Sequence, residues 1–133
     1  MRRAKAGSER TLYFDSYAIY AIVRGDTSYQ QYQKGCRVIT TIMNLYETYY
    51  GLIRDGFVHE ANFFFEKFLA YCIPIGPGWV KDAAYFKLRN KKLDLSYVDA
   101  LGYTIAKAHN LRFLTGDAAF EGMANVEFVK AAD

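Results

Sequence analysis

Apolar residues along this chain follow two rhythms: short unbroken runs, and longer stretches with one apolar face at helical spacing. The first run, residues 11–14, ends in Asp15 and passes at once into a helical pattern over 17–24 that Gly25 stops. A buried strand feeding a helix has this form. A second short helix is predicted over 26–34, capped by Asp26 or Thr27 and ended by Gly35. The β-branched run 36–40 predicts a second strand. Thr40 or Thr41 then caps a longer helix that reaches Asp55 before Gly56. Residues 59–70 predict another helix, and 71–75 a short strand that Pro74 confines to a sheet edge or a strand end. After a Gly76-Pro77-Gly78 turn, helices are predicted over 79–89 and 97–109. Strands follow over 112–115 and 126–129, with a helical turn over 118–123 between them.

Strands alternating with helices predict an α/β domain, a three-layer α/β/α sandwich around a parallel sheet. Crossovers in such a sheet share one hand, so the loops after the strands gather along one edge, where ligands bind. Residues 1–10 read as a flexible basic arm and 11–133 as one domain, long enough to bury a core without disulfide or metal staples.

Composition adds constraints. Hydrophobic residues make up 52% and charged residues 23%, the balance of a globular chain rather than a disordered one. The 12 Tyr and 10 Phe read first as core, with base stacking as the alternative. A net charge of +3 tolerates a polyanionic substrate but falls short of a protein that coats DNA. No stretch is long and apolar enough to span a bilayer, and the N-terminus lacks the apolar run of a signal peptide, so a cytoplasmic protein is expected. Cys36 and Cys72 form no CxxC pair and read as buried thiols.

Candidate chemistry rests on acids. Asp15 and Asp117 each stand at the C-terminal end of a predicted strand, where they could equally serve as a helix cap and a turn residue. Asp99 follows Ser96 by three residues, the spacing of a capping box, and an acid there can cap and bind a cation together. Glu47 lies inside an apolar helix, where a carboxylate is costly unless it is paired, binds a cation, or shares a solvated face with Asn44 and Thr48. Four acids brought together would repel, and a divalent cation would remove the repulsion. Oxygen-only ligands select Mg²⁺ or Mn²⁺ over Zn²⁺, and such ions support phosphoryl chemistry. No glycine-rich phosphate loop with its lysine is present.

Several motifs carry a family resemblance: Tyr13-Phe14-Asp15-Ser16, Asn44-Leu45-Tyr46-Glu47, Leu95-Ser96-Tyr97-Val98-Asp99-Ala100-Leu101, Ala106-Lys107-Ala108 and Leu114-Thr115-Gly116-Asp117-Ala118-Ala119-Phe120. Over residues 12–129 the chain resembles the PIN-domain ribonucleases, in particular VapC-type toxins and their archaeal relatives. The resemblance implies a five-stranded parallel sheet of order 3-2-1-4-5 and a Mg²⁺ or Mn²⁺ site built from Asp15, Glu47, Asp99 and Asp117. It further implies hydrolysis of RNA phosphodiester bonds by an endoribonuclease, with Thr115 and Ser16 supporting the acids. A toxin of this kind has an antitoxin partner. Two departures bear on the metal: Ala119 stands where many relatives carry another acid, and Tyr17 where Asn is common.

Lys87, Arg89, Lys91 and Lys92 offer an RNA phosphate track or a solvated helix end. His109 near a helix end is explained by the dipole, as His59 is by its place, and neither is needed as a catalyst. Trp79 reads as an anchor of the core or of an interface. Tyr17, Tyr20, Tyr46, Tyr49 and Tyr50 exceed what one small core needs, which predicts a homodimer or a groove for an antitoxin helix. The alternatives are a PIN-like RNA-binding module without turnover, motivated by Ala119, and a DNA or flap nuclease.

Overall fold

Residues of the first run alternate between the two faces of a sheet, and this alternation organises the molecule. In a computed structural model that describes residues 9–132, β1 (Arg10–Phe14) turns Leu12 and Phe14 into one core and Tyr13 into another. Period-two alternation with both sets apolar is what a strand covered on both faces requires. The first core takes residues from α1 (Ser16–Val23), α2 (Ile42–Arg54) and α3 (Val58–Phe68). The second takes Phe86 of α4 (Pro77–Arg89) and Tyr103, Ile105 and Ala106 of α5 (Tyr97–Ala108). Helices on both faces of the sheet make the expected three layers.

The sheet is parallel throughout, in the order β2-β1-β3-β4, with β2 at Cys36–Ile39, β3 at Arg112–Thr115 and β4 at Val126–Phe128. β1 is therefore central, paired on both sides. Aromatic rings fill much of the interior, with Tyr13, Phe14, Tyr29, Phe113 and Phe120 fully buried. Each such side chain contributes roughly 1.5–3 kcal/mol by leaving water.

Among the described residues the expected five strands become four. Residues 71–75 make only a bridge, Thr40 to Cys72, held by Thr40 N–H to the Tyr71 carbonyl and Ile73 N–H to the Thr40 carbonyl. Tyr71 still closes a 3-10 turn over Leu69–Tyr71, and Pro74 has no N–H to carry the ladder on. Other boundaries shift for local reasons. The segment expected as a helix over 26–34 is a 3-10 turn, Thr27–Tyr32, capped by the Asp26 carboxylate. Pro77 starts α4 instead of ending a turn, because its fixed φ suits the first helical position. Ala118–Phe120 is a single 3-10 turn. Arg10, assigned to the arm, begins β1 and forms an ion pair with Glu127; the rest of the expected arm, apart from Glu9, lies outside the described residues. Cys36 and Cys72 are free thiols, each partly buried.

Candidate metal centre

The strand ends place the acids. Asp15 follows the last residue of β1, and its N–H is tied to the Leu114 carbonyl at 3.1 Å, so its position is set by the β1–β3 pairing. It occupies the N-cap position of α1, yet its side chain makes no capping bond. The carboxylate instead accepts from the Thr115 hydroxyl at 2.7 Å. Its other oxygen, Oδ1, is buried without a hydrogen-bond partner. An unpaired buried acceptor costs about 1–3 kcal/mol, so a ligand is expected there.

Glu47 projects from the second turn of α2, and Asp99 from the first turn of α5. Carboxylate oxygens of Asp15, Glu47 and Asp99 lie within 4.8 Å of one another. The capping box read from the sequence is present: Ser96 accepts from the Asp99 N–H at 3.0 Å, and Asp99 Oδ2 accepts from the Ser96 N–H at 3.0 Å. Asp99 therefore caps and faces the cluster at once. The starts of α1 and α5 bring two positive helix ends to the acids, which partly offsets their repulsion.

Asp117 is not among the gathered carboxylates. Its Oδ1 accepts from Ala119 N–H at 3.0 Å, as a turn acid does, and its own N–H donates to Thr115 Oγ1 at 3.1 Å. It stands close enough for its charge to raise both Glu47 and Asp99. Glu121, the nearest acid that could stand in for the one missing at Ala119, is exposed and is not among the gathered carboxylates.

Proton affinities record the crowding. The Asp15 carboxyl is pushed up to about 8, by burial first and then by the Asp99 charge, against the pull of the Thr115 hydroxyl. Burial likewise raises Glu47, with Asp99 and Asp117 adding to it while the Ser16 hydroxyl holds it down. Asp99 is raised by burial, and Lys87 is among the groups that lower it. Carboxylates that resist ionisation together are the setting a divalent cation relieves.

A polar network missed in the sequence lies beneath. Asn44 and Thr48, expected on a solvated face, are both buried. Tyr13 donates to Asn44 Oδ1 at 2.5 Å, and Asn44 Nδ2 donates to Ser16 Oγ at 3.0 Å. Because the amide oxygen already accepts from Tyr13, the amide nitrogen must face Ser16. The signal was available: Asn44 is three residues before Glu47, the spacing of one helix face.

The basic residues separate. Lys87 is drawn into the domain, donating to the Leu95 carbonyl and lying 5.0 Å from the centre of the Tyr97 ring. Arg89, Lys91 and Lys92 remain exposed. His109 Nδ1 lies 3.0 Å from the Ile105 carbonyl, with its ring against Trp79, so it closes α5 as expected.

This arrangement gathers acids at the C-terminal edge of a parallel sheet, where open α/β folds bind their ligands. Residues 12–126 match the PIN domain family model, and the chain belongs to that family. Solved structures agree in fold at low identity. The Mycobacterium tuberculosis toxin VapC20, described as cleaving the sarcin-ricin loop, superposes with a TM-score of 0.71 at 17% identity, covering 86% of this chain and 98% of that one. VapBC2 of Rickettsia felis, bound to a DNA fragment from its promoter, gives 0.66 at 19%, covering 90% and 99%. A Klebsiella pneumoniae toxin–antitoxin complex gives 0.68 at 16%, covering 87% and 95%. No curated protein sequence is a match.

Proposed function

We propose that the protein is a Mg²⁺- or Mn²⁺-dependent endoribonuclease and the toxin of a toxin–antitoxin pair. The observation that carries this is the Asp15, Glu47 and Asp99 cluster with its buried, unpartnered Asp15 oxygen, within a PIN domain. The all-oxygen donor set fits a hard divalent cation. Asp15, Glu47 and Asp99 would hold it, with Asp117 beside them. When bound, such an ion neutralises charge building on phosphoryl oxygens and makes water a stronger nucleophile. The chain's own groups do the rest. Thr115 fixes one Asp15 oxygen and leaves the other without a hydrogen-bond partner. Ser16, oriented by Asn44, steadies Glu47. Arg89, Lys91 and Lys92 are free to take RNA phosphates, whereas Lys87 serves Asp99 and the start of α5.

The antitoxin reading draws support from a groove of about 630 Å³ in which apolar Ile22, Phe63 and Phe68 are bordered by polar Lys34, Glu60 and Lys67, a lining suited to an amphipathic segment. A second exposed stripe on α2, Ile42, Tyr46, Tyr50 and Ile53, suits a homodimer; a monomeric mass by light scattering at micromolar concentration would count against it. Among the described residues no helix is long and apolar enough to cross a membrane.

The test compares Asp15→Asn and Asp99→Asn with the parent on structured RNA, single-stranded RNA and DNA of matched sequence, with Mn²⁺ present. Cleavage of RNA by the parent and its loss in both variants is expected. Undiminished cleavage in both would sink the proposal. Preference for DNA would make this a DNA nuclease, and RNA binding without metal uptake or cleavage would make it a binding module.

A further inference from the structure

Gly116 separates Thr115 from Asp117, and the chain beyond β4 lies directly against it. A Cβ at Gly116 would stand 2.3 Å from the Val129 carbonyl oxygen and 2.4 Å from the Tyr17 ring. No side chain fits, so the close approach requires glycine. Residues 129–132 are then tied down bond by bond. Val129 N–H donates to the Thr115 carbonyl at 2.9 Å, and the Tyr29 hydroxyl donates to the Val129 carbonyl at 2.6 Å. Ala131 N–H donates to the Tyr17 hydroxyl at 2.9 Å. Ala132 N–H donates to both Asp26 oxygens, at 2.9 and 3.1 Å. Asp26 is a buried carboxylate that also receives the Ser28 N–H.

We infer that residues 129–132 are a strap that sets the position of Asp117, with Tyr17 and Asp26 as its anchoring, positioning residues. The inference rests on the nuclease reading of the site. Thr115 uses its hydroxyl on Asp15 and its carbonyl on the strap, so the strap grips the residue that orients Asp15. Gly116 packs its Cα side against both the strap and the Tyr17 ring, so the turn cannot shift toward them without moving them. Asp117 stands just outside the three-acid cluster, and its distance from it is decided by that turn. Tyr17 thus acts on the acids through the strap rather than by touching them.

The experiment removes only the Tyr17 hydroxyl. Mn²⁺ binding by calorimetry is compared for the parent, Tyr17→Phe, Asp117→Asn and the double variant. Amide hydrogen exchange is followed at Gly116, Asp117 and the β1 core residues in the same proteins without metal. Tyr17→Phe should weaken Mn²⁺ binding roughly fivefold, the effect of removing one hydrogen bond. It should add nothing further in the Asp117→Asn background, since coupled residues are not additive. Asp117 exchange should quicken while Tyr13 and Phe14 stay protected, which excludes general loosening. Unchanged Asp117 exchange, or reductions in Mn²⁺ affinity that simply add, would overturn the strap. A parent that takes up no Mn²⁺ would instead defeat the nuclease reading, with exchange still deciding whether the strap holds the turn. Asp26→Asn provides the second anchor, expected to speed exchange at the same amides.

Discussion

The Asp15 carboxyl makes the fold sensitive to alkali in a measurable way. It titrates at about 8 in the folded chain, against an ordinary value of 3.8. Between those values the folded chain holds a proton that the unfolded chain has released. Stability is therefore greatest at the acid end of this window and falls as pH rises through it. The separation of the two values caps the effect at roughly 6 kcal/mol. Water entry and local relaxation reduce such penalties, so about 2–3 kcal/mol is expected. Glu47 and Asp99 shift in the same direction and act with the same sign. For a chain of this size, 1 kcal/mol moves Tm by about 3–5 °C. Thermal unfolding in a chelating buffer should thus show Tm falling by roughly 10 °C between about pH 5.5 and pH 8.5. Mn²⁺ should restore most of that drop at the alkaline end, because the cation does the work of the proton. Asp15→Asn should flatten the profile. A parent Tm that stays level or rises over the window, or an unchanged slope in Asp15→Asn, would refute the reasoning.

Two further outcomes are expected. Ser96→Ala removes the hydroxyl that accepts the Asp99 N–H, one half of the capping box on α5, and should lower stability by about 1 kcal/mol, read as a Tm decrease of roughly 4 °C, while the Asp99 carboxylate stays held by the backbone N–H of residue 96. Replacing Arg89, Lys91 and Lys92 together by alanine should reduce the slope of log affinity for single-stranded RNA against log salt by up to about 2, at roughly 0.7 for each phosphate no longer neutralised, as measured by filter binding across a salt series.

The elements that carried clear period and punctuation were legible in the sequence. β1, α2, α5 and β3 were each framed by an apolar run or stripe and a cap or glycine, and all formed near their expected bounds. The segment around Pro74 was harder because its composition suits a strand while its missing N–H does not, and only the geometry beside Thr40 shows which side prevailed. All four acids were expected together, and Asp15, Glu47 and Asp99 meet; strand ends and the Ser96 spacing account for where Asp15 and Asp99 stand. Asp117 could not be placed as finely, because its position depends on residues 129–132, more than ten positions along the chain. The Asn44–Glu47 spacing put both on one face of α2, but that Asn44 is buried depends on what α1 and β1 cover.

The central place of β1 ties the chemistry to the most protected part of the molecule. Asp15 comes one residue after a strand paired on both edges and covered on both faces. A slip of one residue would move the carboxylate by about 3.3 Å and turn Tyr13 into the wrong core, so the register that seats the rings also measures out the site. Such a strand opens only when the domain as a whole opens. Asp15 and its Thr115 partner should therefore survive until global unfolding, while the peripheral Asp117 turn can give way earlier. On slow heating the protein would then pass through a weakened but still assembled site rather than failing at once, and the first step would follow release of residues 129–132 from the Asp117 turn.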